Sequence, residues 1–424
     1  MKEDTLVEAQ GLMERVLERG NLIRALHRVK DNDGAPGVDG MRVEALSGYL
    51  KQHWPKLREA LLEGRYRPEP VRRVEIPKAS GGRRPLGIPT VVDRFIQQAL
   101  LQVLQADWDA SFADQSYGFR PGRSAHQALA RAQAYLREGC TWVVDLDIEK
   151  FFDRVNHDKL MHRVRQRVDD VRVLKLIERY LKAGALKLGS FEPAVQGTPQ
   201  GGPLSPLLAN LLLDELDREL QRRGHRFVRY ADDCNLYVRS AQAAQRVLAS
   251  VTKYLQRTLK LQVNEAKSAV DRPWKRKFLG FSFTARRPHR RRVAEAAIER
   301  FKERVRQLTR RTRGVSLRSL VQELKQYLVG WIGYFGFSQT PRLFRELDKW
   351  IVRRLRCYLW KQWGRARYRH LRKLGVSREL AWNSVKSAHG PWRLSRSPAL
   401  SFALPGRYFH ALGLPPLAVL ARTA

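Results

Sequence analysis

Apolar residues recur at helical spacing through Leu6, Leu12, Met13, Val16, Leu17, Ile23, Leu26 and Val29, and the pattern predicts a helix over 5–29. A second amphipathic helix is expected over 43–63. Period-two alternation predicts a strand over 71–77. A glycine-centred turn follows, with a return over 85–89. Phe95, Ile96, Ala99, Leu100 and Val103 mark the buried face of a helix over 92–104. Residues 141–148 form an apolar strand broken by Asp145 and Asp147. Leu207, Leu208, Leu211, Leu212 and Leu216 line another helix, with Ser205 expected at its N-cap and Pro206 at its first helical position. β-branched and aromatic residues on both sides of Ala231-Asp232-Asp233 predict two strands joined by a tight corner over 226–238. A helix over 241–259 and short strands after 268 and over 278–283 complete this part. Three long helices are then expected over 294–312, 316–335 and 341–363. The order β-α-β-β in the middle of the chain is that of a ferredoxin-like α+β sheet, in which a hairpin lies beside the first strand.

The corner at Asp232-Asp233 is the chemically unusual feature. Aspartate suits turns, yet two adjacent carboxylates repel each other and a divalent cation removes that repulsion. Hard oxygen ligands of this kind suit Mg²⁺. A carboxylate in an apolar strand is unfavourable unless it is paired or metal-bound. Asp145 and Asp147 share a face by strand geometry, and spacing alone does not say which would be the ligand. In the predicted topology Asp147 and Asp232 face each other, able to hold two ions about 4 Å apart, with Asp233 turned partly away.

Charge narrows the partner. Among 424 residues, 80 Lys and Arg stand against 42 acids, a net of +38, with a 43% apolar fraction sufficient for a folded core. Nucleic acid is the expected partner, ahead of an acidic membrane surface. Between Arg286 and Arg378 there are 27 Lys and Arg against 6 acids, which favours a nucleic-acid groove over a solvated face. No apolar run predicts a membrane span, and the N-terminus lacks a signal-peptide core. Cys140, Cys234 and Cys357 are few and scattered, as in a reducing cytosol, and the region 379–424 has no cysteine for a zinc-bound endonuclease.

Eight blocks together resemble the group II intron reverse transcriptases, or maturases: GAPGVDG, IPKASGGRRPLGIPTVVDRFIQQAL, SYGFRPGRSAHQAL, DIEKFFDRVNH, GTPQGGPLSPLLANLLLDELD, YADD, LQVNEAKS and FLGFSF, in that order. The resemblance implies a right-hand polymerase. Fingers and palm would occupy 1–290 with an N-terminal extension over 1–70, a helical thumb 291–378, and a small DNA-binding segment 379–424, as in the compact bacterial class without an endonuclease domain. It implies Asp147, Asp232 and Asp233 as catalytic metal ligands for two Mg²⁺, which Mn²⁺ can replace. Lys78 and Arg84 would grip the dNTP triphosphate, Phe152 would exclude a ribose 2′-hydroxyl, and Gln200 would line the nucleotide pocket. Arg120, Arg123, Gly201 and Gly202 would contact nucleic acid. Lys267 and His157 are read as structural, His157 as a helix cap.

The activity so implied is RNA-directed DNA synthesis, with intron RNA binding that assists splicing and retrohoming. The implied partners are an RNA template, a DNA primer, their RNA–DNA duplex, dNTPs and group II intron RNA, in a bacterial, nucleoid-associated cytoplasmic setting. The alternative is an intron-free relative working in DNA repair or phage defence with the same polymerase chemistry.

Overall fold

A computed structural model describes residues 11–77, 82–187, 190–194, 196–198 and 201–421. By compactness the chain divides after Arg272 into two units, Met1–Arg272 and Pro273–Ala424. The boundary expected at 290 therefore lies inside the second unit.

The strands of the first unit follow one another as β1 (Val71–Pro77), β2 (Arg83–Ile88), β3 (Trp142–Asp147), β4 (Ala185–Lys187), β5 (Ser190–Glu192), β6 (Arg226–Tyr230), β7 (Asp233–Val238) and β8 (Ala269–Asp271). They assort into two four-stranded sheets, ordered β2-β1-β4-β5 and β6-β7-β3-β8. The second contains the expected α+β arrangement, with the β6–β7 hairpin antiparallel to β3. Helices Val91–Trp108 and Ser205–Arg222 contribute Phe95, Ile96, Leu100, Leu207, Leu208, Leu211 and Leu212 to the same core as Val144, Leu146 and Leu236. Burial of such side chains stabilises by roughly 1.5–3 kcal/mol each, so this apolar layer holds the sheet that carries the acids.

Several boundaries moved for local reasons. The helix expected over 5–29 is two helices where it is described, Leu12–Val16 and Arg19–Asp31. The Glu18 carboxylate accepts from the amides of Gly20 and Asn21 and so starts the second. Ser124 caps the helix Ala125–Arg137, in a capping box with Gln127. Ser205 does not; it is the first helical residue, and Leu204 precedes it without a side-chain cap. The cap expected of His157 belongs to Asn156, whose side chain accepts from the Lys159 amide at 2.9 Å.

In the second unit β9 (Phe281–Phe283) pairs with β10 (Arg291–Val293), and helices Glu295–Leu308, Leu317–Phe335 and Pro341–Gln362 follow. Residues after 378 do not form a core of their own. Leu394, Leu400, Leu404, Phe409 and Leu417 are buried in one cluster with Ile351, Leu355 and Trp360. Asp348 accepts from the Leu417 and Ala418 amides, and Arg356 donates to the carbonyls of Leu404 and Ser395. Arg353 donates to Ser395 and Trp392, and Arg354 to Thr309. Part of the positive charge read as a nucleic-acid groove is thus engaged inside the fold. Cys140, Cys234 and Cys357 are all free and buried, and no described helix is long and apolar enough to cross a membrane.

Candidate active site

Register brings the acids together. In the β3–β7 ladder Asp147 stands directly opposite Asp233, which puts their Cβ atoms about 5 Å apart on one face. Asp233, expected to turn partly away, is the cross-strand neighbour of Asp147. Asp232 lies one residue earlier, in the turn. Burial pushes its carboxyl above the ordinary value, the charge of Asp147 adds to that, and Arg84 and Arg229 pull the other way. All three acids therefore lie at one end of the sheet, with Arg84, exposed on β2, within electrostatic reach of Asp232.

The segment after 261 closes that end. The amides of Asn264 and Glu149 donate to Asp147 O and Gln262 O, both at 2.8 Å, and Ser268 Oγ accepts from the Asp147 amide at 3.0 Å. Lys267 Nζ comes to 3.6 Å from Asp147 Oδ2.

Asp232 owes its place to a turn that is unfavourable by itself. Ala231 has φ +58°, a left-handed conformation that an L-residue other than glycine, asparagine or aspartate seldom adopts. Behind it lies a buried cluster that sequence reasoning missed. The Arg229 and Asp217 side chains are fully buried and paired. Arg229 donates to Asp217, to Ser116 Oγ at 2.8 Å, to Asn210 Oδ1 at 3.0 Å and to Ala231 O at 2.9 Å. Burial pushes the Asp217 carboxyl above its ordinary value, opposed by the facing guanidinium. Asn210 Nδ2 in turn donates to Gly118 O at 2.8 Å. A methyl group at Gly118 would stand 2.3 Å from the Ala231 nitrogen, so the 117–119 backbone presses on the corner itself. An Arg in a strand normally signals solvent. The signal here was Arg229 alternating out of phase with exposed Arg226 in an otherwise apolar strand.

The remaining expected residues divide. Phe152 is half-buried, edge-on to buried Phe151, and lines a cleft of about 250 Å³ with Leu86, Gly87, Gly197 and Thr198. Its carbonyl accepts from the Thr198 amide at 2.7 Å. His157 Nε2 lies 2.6 Å from Gly197 O, so this histidine pins the loop before the pocket. Gly201, with φ +143°, has the Gly87 carbonyl where a Cβ would reach, and Gly202 has the Gln97 side chain there. The room their lack of a side chain leaves is thus used for close packing within the protein. The same holds at Gly37, which abuts the Thr90 backbone in a loop where Arg94 donates to Ala35 O. Lys78 and Gln200 lie outside the described residues.

Arg120 is corrected. Its guanidinium is 3% exposed and gives its hydrogen bonds to Asp109, to the Asp109 carbonyl and to the carbonyls of Ala113 and Ser116. No donor is left for a phosphate, so it organises the 109–120 loop. Arg123 is 29% exposed, pairs with exposed Asp114 and lies over the Tyr117 ring. A surface pair of this kind is weak and yields readily to a phosphate.

Comparison with known proteins now bears on this arrangement. The family model of the reverse transcriptase (RNA-dependent DNA polymerase) matches residues 76–283, and that of the group II intron maturase-specific domain matches 298–375. The chain belongs to the group II intron reverse transcriptase and maturase family. Among relatives of this family, Protein YkfC of Escherichia coli is 40% identical over 52% of this chain and 59% of its own length. Group II intron-encoded protein LtrA of Lactococcus lactis is 38% identical over 46% of this chain and 32% of its own. The match thus spans less than two thirds of either relative. A chain of a solved partial Cas6-RT-Cas1–Cas2 complex aligns at 25% identity over 59% of this chain and 43% of that one, with a TM-score of 0.37.

Proposed function

We propose that this protein is an RNA-directed DNA polymerase of the group II intron type that also binds intron RNA as a maturase. The observation that carries the reading is the register of Asp147 against Asp233, with Asp232 at the adjoining corner. Three carboxylates at one sheet end make a poor general-acid site and a good set of hard ligands.

The donor set suits Mg²⁺. Like charges stand about 5 Å apart across the strands, and the Lys267 ammonium already neutralises one of them from 3.6 Å. Among the described residues no three acidic, histidine or cysteine groups converge on one point, so Asp147, Asp232 and Asp233 would draw in around the ions. Bound there, two Mg²⁺ would acidify the primer 3′-hydroxyl and neutralise the pyrophosphate leaving group. The chain's own groups do the positioning. Arg84 supplies positive charge to the triphosphate side of Asp232. Phe152 presents an edge at the sugar position and excludes a 2′-hydroxyl. Lys78 and Gln200 take the triphosphate-gripping and nucleotide-pocket roles, and Arg123, Gly201 and Gly202 lie along the template path. The first unit serves as fingers and palm, the helices after 294 as thumb, and residues 379–424 as an added DNA contact. The match of 298–375 to the maturase-specific domain favours an intron partner over the intron-free repair or defence reading.

The test is extension of a DNA primer on an RNA template. Mg²⁺-dependent incorporation of dNTPs and not rNTPs is expected. Incorporation that proceeds fully in chelator, or only with rNTPs, would overturn the assignment.

A further inference from the structure

We infer that the buried bridge Asn210–Arg229, backed by Asp217 and Ser116, is the positioning device that sets the catalytic corner and thereby the affinity of the aspartates for metal. The inference rests on the polymerase reading of that corner and names residues outside its ligand set. Three observations carry it. Arg229 donates to the carbonyl of Ala231 itself, the residue whose left-handed backbone turns the chain into Asp232. Asn210 joins that same guanidinium to Gly118 O. Gly118 leaves no room for a methyl group against the Ala231 nitrogen.

The corner is thus held from two sides, by a hydrogen bond to its carbonyl and by a backbone wall at its nitrogen. Both supports are tied to helix Ser205–Arg222 through Asn210 and Asp217, and both residues are buried. Such a clamp is more than a core ion pair needs. A buried Arg–Asp pair could be replaced by packed apolar side chains at little loss of stability, but those could not hold a carbonyl in an unfavoured turn. Relaxing the clamp lets Ala231 leave the left-handed region and carries Asp232 away from its place beside Asp147.

The experiment uses the full chain with Asn210→Leu, which removes both amide hydrogen bonds without stranding a charge. A second variant, Gly118→Ala, pushes the corner and leaves the Arg229 cluster whole. Asp170→Asn, at a distant helix cap, serves as a control for lost stability. Mn²⁺ binding is followed by electron paramagnetic resonance without nucleotide, alongside the Mg²⁺ dependence of primer extension and the affinity for primer–template. Both corner variants are expected to weaken Mn²⁺ binding about tenfold, the scale on which groups behind a metal ligand act. Their Mg²⁺ midpoint should rise in parallel, with primer–template affinity unchanged. If either variant folds and binds Mn²⁺ as wild type does, losing only thermal stability as Asp170→Asn does, the inference fails and the polymerase reading survives. If wild type neither binds Mn²⁺ nor extends a primer, the reading beneath it fails.

Discussion

The Lys267 ammonium lies 3.6 Å from a carboxylate oxygen of Asp147. Lys267 is 65% exposed at its side chain, so the pair contributes less than about 1 kcal/mol. Its position is the one a cation would take. Replacing Lys267 with Gln should leave thermal stability nearly unchanged and tighten Mn²⁺ binding, because a competing charge is gone. A weaker Mn²⁺ site in that variant, measured by the same resonance titration, would assign Lys267 to shaping the site.

Asp232→Ala should abolish DNA synthesis, by about a thousandfold or more if a metal ligand is lost. RNA binding, which depends on the wider excess of Lys and Arg, should persist and should weaken steeply with salt. Filter binding across a salt series, set beside primer extension, separates the two effects.

Phe152→Ala should admit rNTPs. The discrimination lost is expected to be about tenfold to a hundredfold, read as the ratio of kcat/KM for dATP and ATP. Phe151 is 2% exposed, so its replacement by Ala should instead destabilise the fold by about 3–5 kcal/mol.

Arg120→Lys should cost at least about 2 kcal/mol of stability, since a lysine cannot reproduce a buried guanidinium fork. RNA affinity of the folded fraction should not change. Urea denaturation and RNA titration of one preparation test both, and a selective loss of RNA affinity would return Arg120 to the contact surface.

Asp170 supplies a pH test. Its carboxylate caps helix Val171–Lys182 and accepts from the Met13 amide at 3.0 Å and from Arg172. Burial pushes the carboxyl up, but the hydrogen bonds from Arg172 and Met13 together outweigh that and hold it below its ordinary value. A depressed folded value means stability that is present above the unfolded value, about 3.9, and is lost as pH falls through the folded one. Asp170→Asn should therefore cost about 1–2 kcal/mol at pH 7, a deficit that narrows below about pH 4. Equilibrium unfolding at pH 7 and pH 3 measures it.

The strand pattern, the acidic corner and the α+β order were legible because they depend on local periodicity. Register was not: a shift of one residue separates the expected facing of Asp147 with Asp232 from the observed pairing with Asp233, and nothing local to either strand fixes that count. The roles of Arg229 and Asp217 were hidden for another reason. Charged residues in a basic chain read as surface, and only tertiary structure shows that these two are sealed together. Arg120 failed in the same direction, its guanidinium sealed against Asp109 and the carbonyls of Ala113 and Ser116.

The shared burial of Phe409, Leu404 and Leu417 with Ile351 and Trp360 bears on how this protein can be dissected. A deletion ending near residue 378 would strip one wall from the three-helix bundle and bare its grease to solvent. The truncated chain would clump, and lost DNA binding in such a preparation would report insolubility. Charge reversals at exposed Arg393 or Arg407 would question the tail while leaving the bundle whole.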